Sequence, residues 1–128
     1  MKTKLQELLE KSYSPYSKFR VSAIVVTNDD KYYSGVNIEN ASYGATVCAE
    51  RVAIFKAVSN GYKKGDFKKL YVMVDSDKIS SCCFLCRQVI TEFFNEDATI
   101  IMMNKNGEEK VLKISTMCPY PFDENDLK

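Results

Sequence analysis

The sequence predicts an α/β protein with a single mixed sheet of about five strands and helices packed on it. Two features of the sequence support this fold class. Short segments rich in β-branched residues alternate with two long, largely apolar segments of helical composition, in the order α-β-β-α-β-α-β-β. The 128 residues suffice to build one buried core, so we expect a single domain over residues 1–128.

The first half of the chain predicts one helix and two strands. Residues 5–13 carry leucines at helical spacing and precede Ser14-Pro15, where a proline ends a helix. Residues 21–27 are rich in β-branched side chains, which indicates a strand. A turn at Asn28-Asp29-Asp30 then leads into a second strand over residues 31–36.

The second half of the chain predicts two long helices and three further strands. Helices are expected over residues 47–60 and 83–94, and strands over residues 70–74, 99–103 and 110–114. The last two strands form a hairpin, because Asn106-Gly107 supplies the positive φ angles of a tight turn. Residues 37–46 are polar and form a loop just before a helix, where functional residues tend to gather.

Composition excludes several classes of protein. The net charge of +1 gives no reason to expect a nucleic-acid partner. The chain has no apolar run long enough to span a membrane, and its amphipathic N-terminus lacks the apolar core of a signal peptide. Five cysteines, an odd number, favour reduced thiols or metal ligands over a disulfide framework. We therefore expect a cytoplasmic protein with no membrane partner.

The arrangement of cysteines in a chain without histidine is the most informative feature of the sequence. Cys48-Ala49-Glu50 is followed by Cys83-x-x-Cys86, and no histidine is present to form a catalytic triad or an HExxH zinc site. Three thiolates can bind zinc and leave its fourth position open to water, as catalytic zinc sites do. Glu50 lies two residues after the first thiol, close enough to handle the protons of that water.

The predicted helices favour such a site. Cys48 lies at the start of one helix, and Cys83 and Cys86 lie one turn apart at the start of the other. The partial positive charge at helix N-termini stabilises thiolates. Arg51 is the candidate to offset the remaining negative charge by hydrogen bonding to a thiolate sulfur.

Three simpler interpretations compete with this one. Each cysteine could be a buried apolar residue, the C-x-x-C pair could be redox-active, or the zinc could be structural. A structural zinc needs a fourth ligand, for which Cys82 and Cys118 are the spare thiols. The combination of three ligands, an adjacent acid and two helix starts favours the open, catalytic site.

Several separated sequence blocks point to a family. They are residues 37–44 (NIENASYG), 46–51 (TVCAER) and 83–88 (CFLCRQ), flanked by 16–19 (YSKF) and by Pro119-x-x-Phe122. In kind and order, these blocks closely resemble the small cytidine deaminases, zinc enzymes of free-nucleoside salvage with three cysteine ligands. The resemblance covers nearly the whole chain and implies an α/β/α fold, with helices on both faces of the sheet.

The resemblance also implies roles for individual residues. Cys48, Cys83 and Cys86 would bind one Zn²⁺ per chain, and Glu50 would move protons from the attacking water to N3 of the base and to the departing amino group. Substrate contacts would come from residues at the family's binding positions: Phe19, Asn37, Glu39, the backbone around Ala49, and, from a neighbouring subunit of a homotetramer, Tyr43 and Phe122. The implied activity is hydrolysis of cytidine and deoxycytidine to uridine and deoxyuridine in pyrimidine salvage.

The chain departs from the family pattern beside the metal ligands. The family usually has Pro-Cys-Gly-x-Cys, whereas this chain has Cys82-Cys83-Phe84-Leu85-Cys86. Cys82 would be inert or would compete with Cys83 for the metal, and Phe84 could alter the pocket. A deaminase of a modified nucleoside such as blasticidin S, and a non-catalytic zinc module, are therefore the alternatives. A polynucleotide deaminase would need a basic channel for phosphates, which the sequence does not suggest.

Overall fold

A five-stranded mixed sheet organises the chain, which the computed structural model describes over residues 1–128. The helices and strands are α1 (Lys2–Leu9), β1 (Val21–Thr27), β2 (Tyr32–Val36), α2 (Ala49–Ser59), β3 (Phe67–Val74), α3 (Phe84–Phe93), β4 (Phe94–Met103), β5 (Glu109–Lys113) and α4 (Ile114–Met117). Short 3₁₀ turns occur at Tyr43–Ala45 and Glu124–Leu127. None of the helices is both long and apolar enough to cross a bilayer.

The strand order is β2-β1-β3-β4-β5. β3 and β4 are parallel and are joined by α3, as a parallel pair requires a crossover connection. The other three neighbouring pairs are antiparallel. The predicted mixed sheet is therefore confirmed.

Apolar side chains cover both faces of the sheet, because successive strand residues point to opposite sides. In β1, Ala23 and Val25 belong to the larger core cluster, which also includes residues of α2, α3 and α4. Ile24 points the other way, into a smaller cluster with Leu5 and Leu9 of α1. The prediction of helices on both faces is thus confirmed.

Two predicted helix boundaries were wrong because of Ile38, and the first helix also begins earlier than predicted, at Lys2 rather than at residue 5. The first helix ends at Leu9, since the extended backbone of Tyr13 exchanges hydrogen bonds with residues 37 and 39 in a bridge to Ile38. The second helix begins at Ala49 rather than at residue 47, since Val47 and Ile38 bond each other in an antiparallel bridge. Long-range pairing therefore holds these residues outside the helices.

The end of the chain also differs from the prediction. The β4–β5 turn is wider than a two-residue Asn-Gly turn: it runs from Asn104 to Glu108, and only Gly107 has a positive φ, of +82°. The side chain of Asn104 accepts hydrogen bonds from the backbone of Asn106 and Glu108 and so replaces the expected turn geometry. The short helix α4 follows β5 directly and was not predicted.

The helix that carries Cys48 and Glu50 lies unusually close to β2. A Cβ atom at Gly35 would lie 2.5 Å from the carbonyl oxygen of Ala49 and 2.6 Å from the amide nitrogen of Ala53. Both are backbone atoms of the first turns of α2, which cannot move without moving the helix. Only glycine therefore allows α2 to approach β2 this closely.

Replacing Gly35 with alanine should displace the start of α2 and destabilise the protein by about 1–3 kcal/mol, as overpacking of a close contact typically does. The measurement is the midpoint of thermal unfolding together with zinc content. Gly44→Ala is the matched control, since a Cβ at Gly44 meets no atom within 4 Å. Equal stability of the two variants would contradict this account of Gly35.

Candidate metal centre and active site

Three thiols meet where α2 and α3 begin. The sulfurs of Cys48, Cys83 and Cys86 all lie within 4.8 Å of one another, and the Cys48–Cys83 distance is 3.8 Å. Cys48 is the N-cap of α2, and Cys83 is the N-cap of α3, whose sulfur accepts a hydrogen bond from the Cys86 amide at 3.4 Å. Two sulfurs bound tetrahedrally at ~2.3 Å from a zinc ion are about 3.8 Å apart. The spacing of the thiols therefore fits zinc.

The surroundings of these thiols favour a thiolate at Cys48. Hydrogen bonds from Cys86, Arg51 and Cys83 lower the pKa of Cys48 to about 5. The bond that Cys86 donates to Cys48, together with its own burial, raises the pKa of Cys86. Arg51 Nη2 lies 3.6 Å from the Cys48 sulfur, while its buried Nε has no hydrogen-bond partner in the chain. A cationic side chain thus lies against a cluster of sulfurs that would become anionic if it bound a metal ion.

Glu50 is buried beside this thiol cluster, in the first turn of α2. Its side chain is only 5% exposed, yet it lines the cavity next to the cysteines. Burial raises the pKa of its carboxyl group, with a further contribution from the charge of Cys48. A carboxyl group with a raised pKa can both accept and release a proton near neutral pH.

A cavity of about 260 Å³ opens directly over the thiols and Glu50. Its walls combine apolar and small polar side chains from β1, β3, the loops and the start of α2: Ser17, Phe19, Val21, Asn37, Glu39, Thr46, Cys48, Ala49, Glu50, Val72, Val74, Ser80, Ser81 and Cys83. This lining includes the carboxyl groups of Glu39 and Glu50 but no lysine or arginine. The cavity therefore suits a small neutral molecule better than an anion.

Asn37 and Glu39 hold the segment that carries Phe19. Asn37 Nδ2 donates to the Phe19 carbonyl at 2.7 Å, and its Oδ1 accepts from the Val21 amide at 2.9 Å. Glu39 accepts hydrogen bonds from the amides of Tyr16 and Ser17 at 3.0 and 3.1 Å, and from the Ser17 hydroxyl. The bonds from Ser17 hold the pKa of Glu39 below its usual value. Glu39 therefore stays ionised in the cavity wall, and Phe19, 40% exposed, lines the same cavity.

Two of the residues expected at a binding site lie outside the cavity of their own chain. Tyr43 is 70% exposed and packs edge-on against Tyr16, with ring centroids 6.1 Å apart. Phe122 is 57% exposed, and its carbonyl oxygen accepts a hydrogen bond from Gln88. Neither side chain lines the cavity.

The two departures from the family pattern leave the cavity unobstructed. Phe84 is 78% exposed and stacks on the guanidinium of Arg87, whose carbon lies 4.4 Å from the ring centroid. Cys82 is buried and does not belong to the thiol cluster. Its burial raises the pKa of the thiol, which favours the neutral form. Phe84 therefore neither opens nor narrows the pocket, and Cys82 is not placed to bind the metal with the other thiols.

Sequence reasoning missed part of the cavity wall. Val72 and Val74 at the end of β3, Ser80 and Ser81 before α3, and Ser17 all line the cavity. The position of Ser80 and Ser81 shortly before Cys83, a proposed metal ligand, could have indicated that they lie at the site. Which side chains of β3 face the cavity depends on the register of the sheet, and a single sequence does not reveal that register.

Comparison with known proteins decides the family. Residues 1–103 match the model of the "Cytidine and deoxycytidylate deaminase zinc-binding region". This chain belongs to that family. A cytidine deaminase of Sporosarcina psychrophila is 42% identical over 92% of this chain and 85% of its own length. The crystal structure of a cytidine deaminase from Burkholderia pseudomallei superposes with a TM-score of 0.88 at 38% identity, covering 92% of this chain and 93% of that one.

One relative acts on a different substrate. A blasticidin-S deaminase of Bacillus cereus is 32% identical over 85% of this chain and 81% of its own length. The family membership and the thiol cluster together show that zinc is the cofactor of this deaminase. Its ligands are proposed to be Cys48, Cys83 and Cys86.

Replacing any one of these three cysteines with serine should lower zinc content well below the roughly one ion per chain expected of a catalytic site. The reason is that a neutral hydroxyl replaces a thiolate. Zinc per chain, measured by atomic emission after exposure to a moderate chelator, checks this. Cys82→Ser and Cys118→Ser are the controls and should retain zinc. Loss of zinc from Cys82→Ser would refute the assignment of ligands.

Proposed function

We propose that this deaminase converts cytidine and 2′-deoxycytidine to uridine and 2′-deoxyuridine by hydrolysis, with release of ammonia. The observation that carries the proposal is the position of Glu50, buried at the cavity beside three thiols that can hold zinc. Curated relatives at up to 42% identity bear the same activity in their names. The reaction breaks a carbon–nitrogen bond of a cyclic amidine, which makes the protein a hydrolase.

The zinc ion, when bound, acts as a Lewis acid that lowers the pKa of water and so supplies a nucleophile near neutral pH. Glu50 accepts the proton that this water loses and passes it to N3 of the pyrimidine ring. The oxygen of the attacking water bonds to C4, and Glu50 then moves the second proton from this oxygen to the exocyclic amino group, so that the C4–N4 bond breaks and ammonia leaves. The raised pKa of Glu50 suits both directions of transfer.

The remaining cavity residues are proposed to hold the nucleoside. Asn37 uses one Nδ2 hydrogen for the Phe19 carbonyl, so the other remains available to a ribose oxygen. The ionised Glu39 carboxylate has acceptor capacity for a sugar hydroxyl. Phe19 packs against the pyrimidine ring, and the backbone at Ala49 meets the carbonyl of the base.

Charge in the cavity favours a nucleoside over a nucleotide. A 5′-phosphate would meet no lysine or arginine in the lining and would face the carboxylate of Glu39. Burying a phosphate without a cationic partner is costly. The family model covers both cytidine and deoxycytidylate deaminases, so family membership does not separate nucleoside from nucleotide substrates. The argument for a nucleoside therefore rests on the residues that line this cavity.

We further propose that the deaminase is a cytoplasmic homotetramer that acts in pyrimidine salvage. Large apolar side chains remain exposed on the single chain, among them Phe55, Leu85 and Phe122. Exposed apolar side chains of this size favour burial against another subunit. In such an assembly, Tyr43 and Phe122 would complete the site of a neighbouring chain.

Glu50→Gln should keep the fold and the zinc but lower kcat by about 10²–10⁴-fold, the usual contribution of a general acid–base. The amide has a similar shape but cannot accept and return a proton. The assay is ammonia release from cytidine, with zinc measured on the same sample. Glu92→Gln, at an exposed position of α3, is the control. Full activity of Glu50→Gln would refute the proposed proton transfer by Glu50, whereas an inactive, zinc-loaded parent protein would point to a non-catalytic zinc module.

The parent enzyme should deaminate cytidine and deoxycytidine with a kcat/KM at least about 10²-fold higher than for their 5′-monophosphates, given the cost of an unpaired buried charge. Steady-state assays with the four substrates provide the comparison. Turnover of the monophosphates at equal efficiency would contradict the argument from cavity charge. Zinc-loaded protein that is inactive on all four, but active on blasticidin S, would assign the modified nucleoside instead.

A further inference from the structure

We propose that Arg87 is a positioning residue that sets the place of Cys83 and of the adjoining cavity wall. Arg87 lies in the first turn of α3, directly after Cys86, and does not line the cavity. Its side chain makes no hydrogen bond to the three thiols, and it contacts the cavity wall only through Ser81. Its effect on the reaction would therefore be exerted through the segment that precedes α3, and the inference rests on the deaminase function proposed above.

The segment before α3 has almost no hydrogen bonds of its own. Residues 79–82 belong to no helix or strand, and none of their backbone amides donates a hydrogen bond within the chain. Ser80 and Ser81 nevertheless form part of the cavity wall, and Cys83 follows immediately. A wall of irregular backbone needs side-chain contacts to keep one conformation.

Arg87 supplies two of these contacts. Its Nε donates to the carbonyl of Cys82 at 2.9 Å, and its Nη2 donates to the hydroxyl of Ser81 at 2.7 Å. The Ser81 hydroxyl donates in turn to the sulfur of Met117, at 3.5 Å, and the thiol of Cys82 is hydrogen-bonded to the carboxyl group of Glu50. The guanidinium thus fixes the backbone one residue before a proposed metal ligand.

The same guanidinium also connects this segment to the last residue of α4. Arg87 Nη1 donates to the carbonyl oxygen of Met117, the last residue of α4, at 3.1 Å. Phe84 covers one face of the guanidinium, with 4.4 Å between its ring centroid and the guanidinium carbon. The planar fork of arginine is required here, because lysine has a single nitrogen and cannot reach three separated acceptors at once. Phe84 therefore acts as a cover for Arg87, which gives a physical reason for its place on the surface.

Arg87→Lys should speed the release of zinc to a chromogenic chelator by about 10–100-fold, the effect typical of losing an outer partner of a metal site. It should also lower kcat/KM for cytidine by about 10-fold or more. The matched control for zinc release is Arg20→Lys. The guanidinium of Arg20 also bonds to more than one partner, Asp75 and Glu10, but Arg20 does not line the cavity. Both variants should lower the unfolding midpoint, but only Arg87→Lys should lose zinc faster.

Phe84→Ala is the second variant, in case Arg87→Lys folds poorly. It leaves every hydrogen bond of Arg87 in place and removes only the ring, so zinc release should rise by about 2–5-fold, as expected for an exposed cation–π contact. The proposal would be overturned if Arg87→Lys lowered the unfolding midpoint but released zinc at the parent rate. If Arg87→Lys does not fold, the same result for Phe84→Ala would overturn it. Zinc release is measured without substrate, so an inactive parent protein would refute the proposed function and leave this test intact.

Discussion

The close approach of α2 to β2 determines where the reactive groups can lie. The atoms nearest to Gly35 belong to Ala49 and Ala53, and Ala49 stands between Cys48 and Glu50. The contact therefore fixes the very turn of helix that presents a thiol on one side and a carboxyl group on the other. β2 pairs with β1, and β1 pairs with β3, so the first turn of α2 packs against a strand that the sheet holds in place. The thiol of Cys48 and the carboxyl group of Glu50 are therefore held in fixed positions. A small displacement of α2 would separate the sulfurs and uncover Glu50 together.

The ionisation of each acidic group at the site depends on the charge of its neighbours. Cys48 has a lowered pKa, while Cys86 and Glu50 have raised ones, so the three groups cannot all ionise independently. Arg51 is the cation within reach of the sulfurs, and two helix N-termini add partial positive charge. A divalent cation would complete this balance, since it would allow three thiolates to form while Glu50 exchanges its proton with substrate, as proposed above. The absence of histidine explains why so much of the charge must be offset by other groups.

The parts of the site that depend on local spacing could be predicted from the sequence. Cys83 and Cys86 are one turn apart, and Cys48 and Glu50 lie two residues apart, so short-range geometry places them correctly once the helices are known. The mixed sheet followed from the alternation of strand and helix patterns. The resemblance to cytidine deaminases also placed helices on both faces, and the structure shows them there.

Features that depend on tertiary contacts could not be predicted. The bridges of Ile38 to Tyr13 and Val47 shorten two helices, yet nothing local in these residues indicates the pairing. The large side chain of Phe84 suggested a changed pocket, whereas its stacking on Arg87 turns it to the surface. The short helix α4 has only four residues, too few for a periodic pattern to emerge.

The wide sequence separation of the thiols has a consequence for folding equilibria. Cys48 and Cys83 are 35 residues apart, and the chain between them includes all of α2, all of β3 and the irregular segment before α3. An ion shared by these thiols is a reversible cross-link that exists only in the folded chain. By mass action, free zinc at 100 times its dissociation constant stabilises the folded state by about 2.7 kcal/mol. The amount of folded enzyme in a cell would therefore follow the supply of zinc as well as the rate of synthesis.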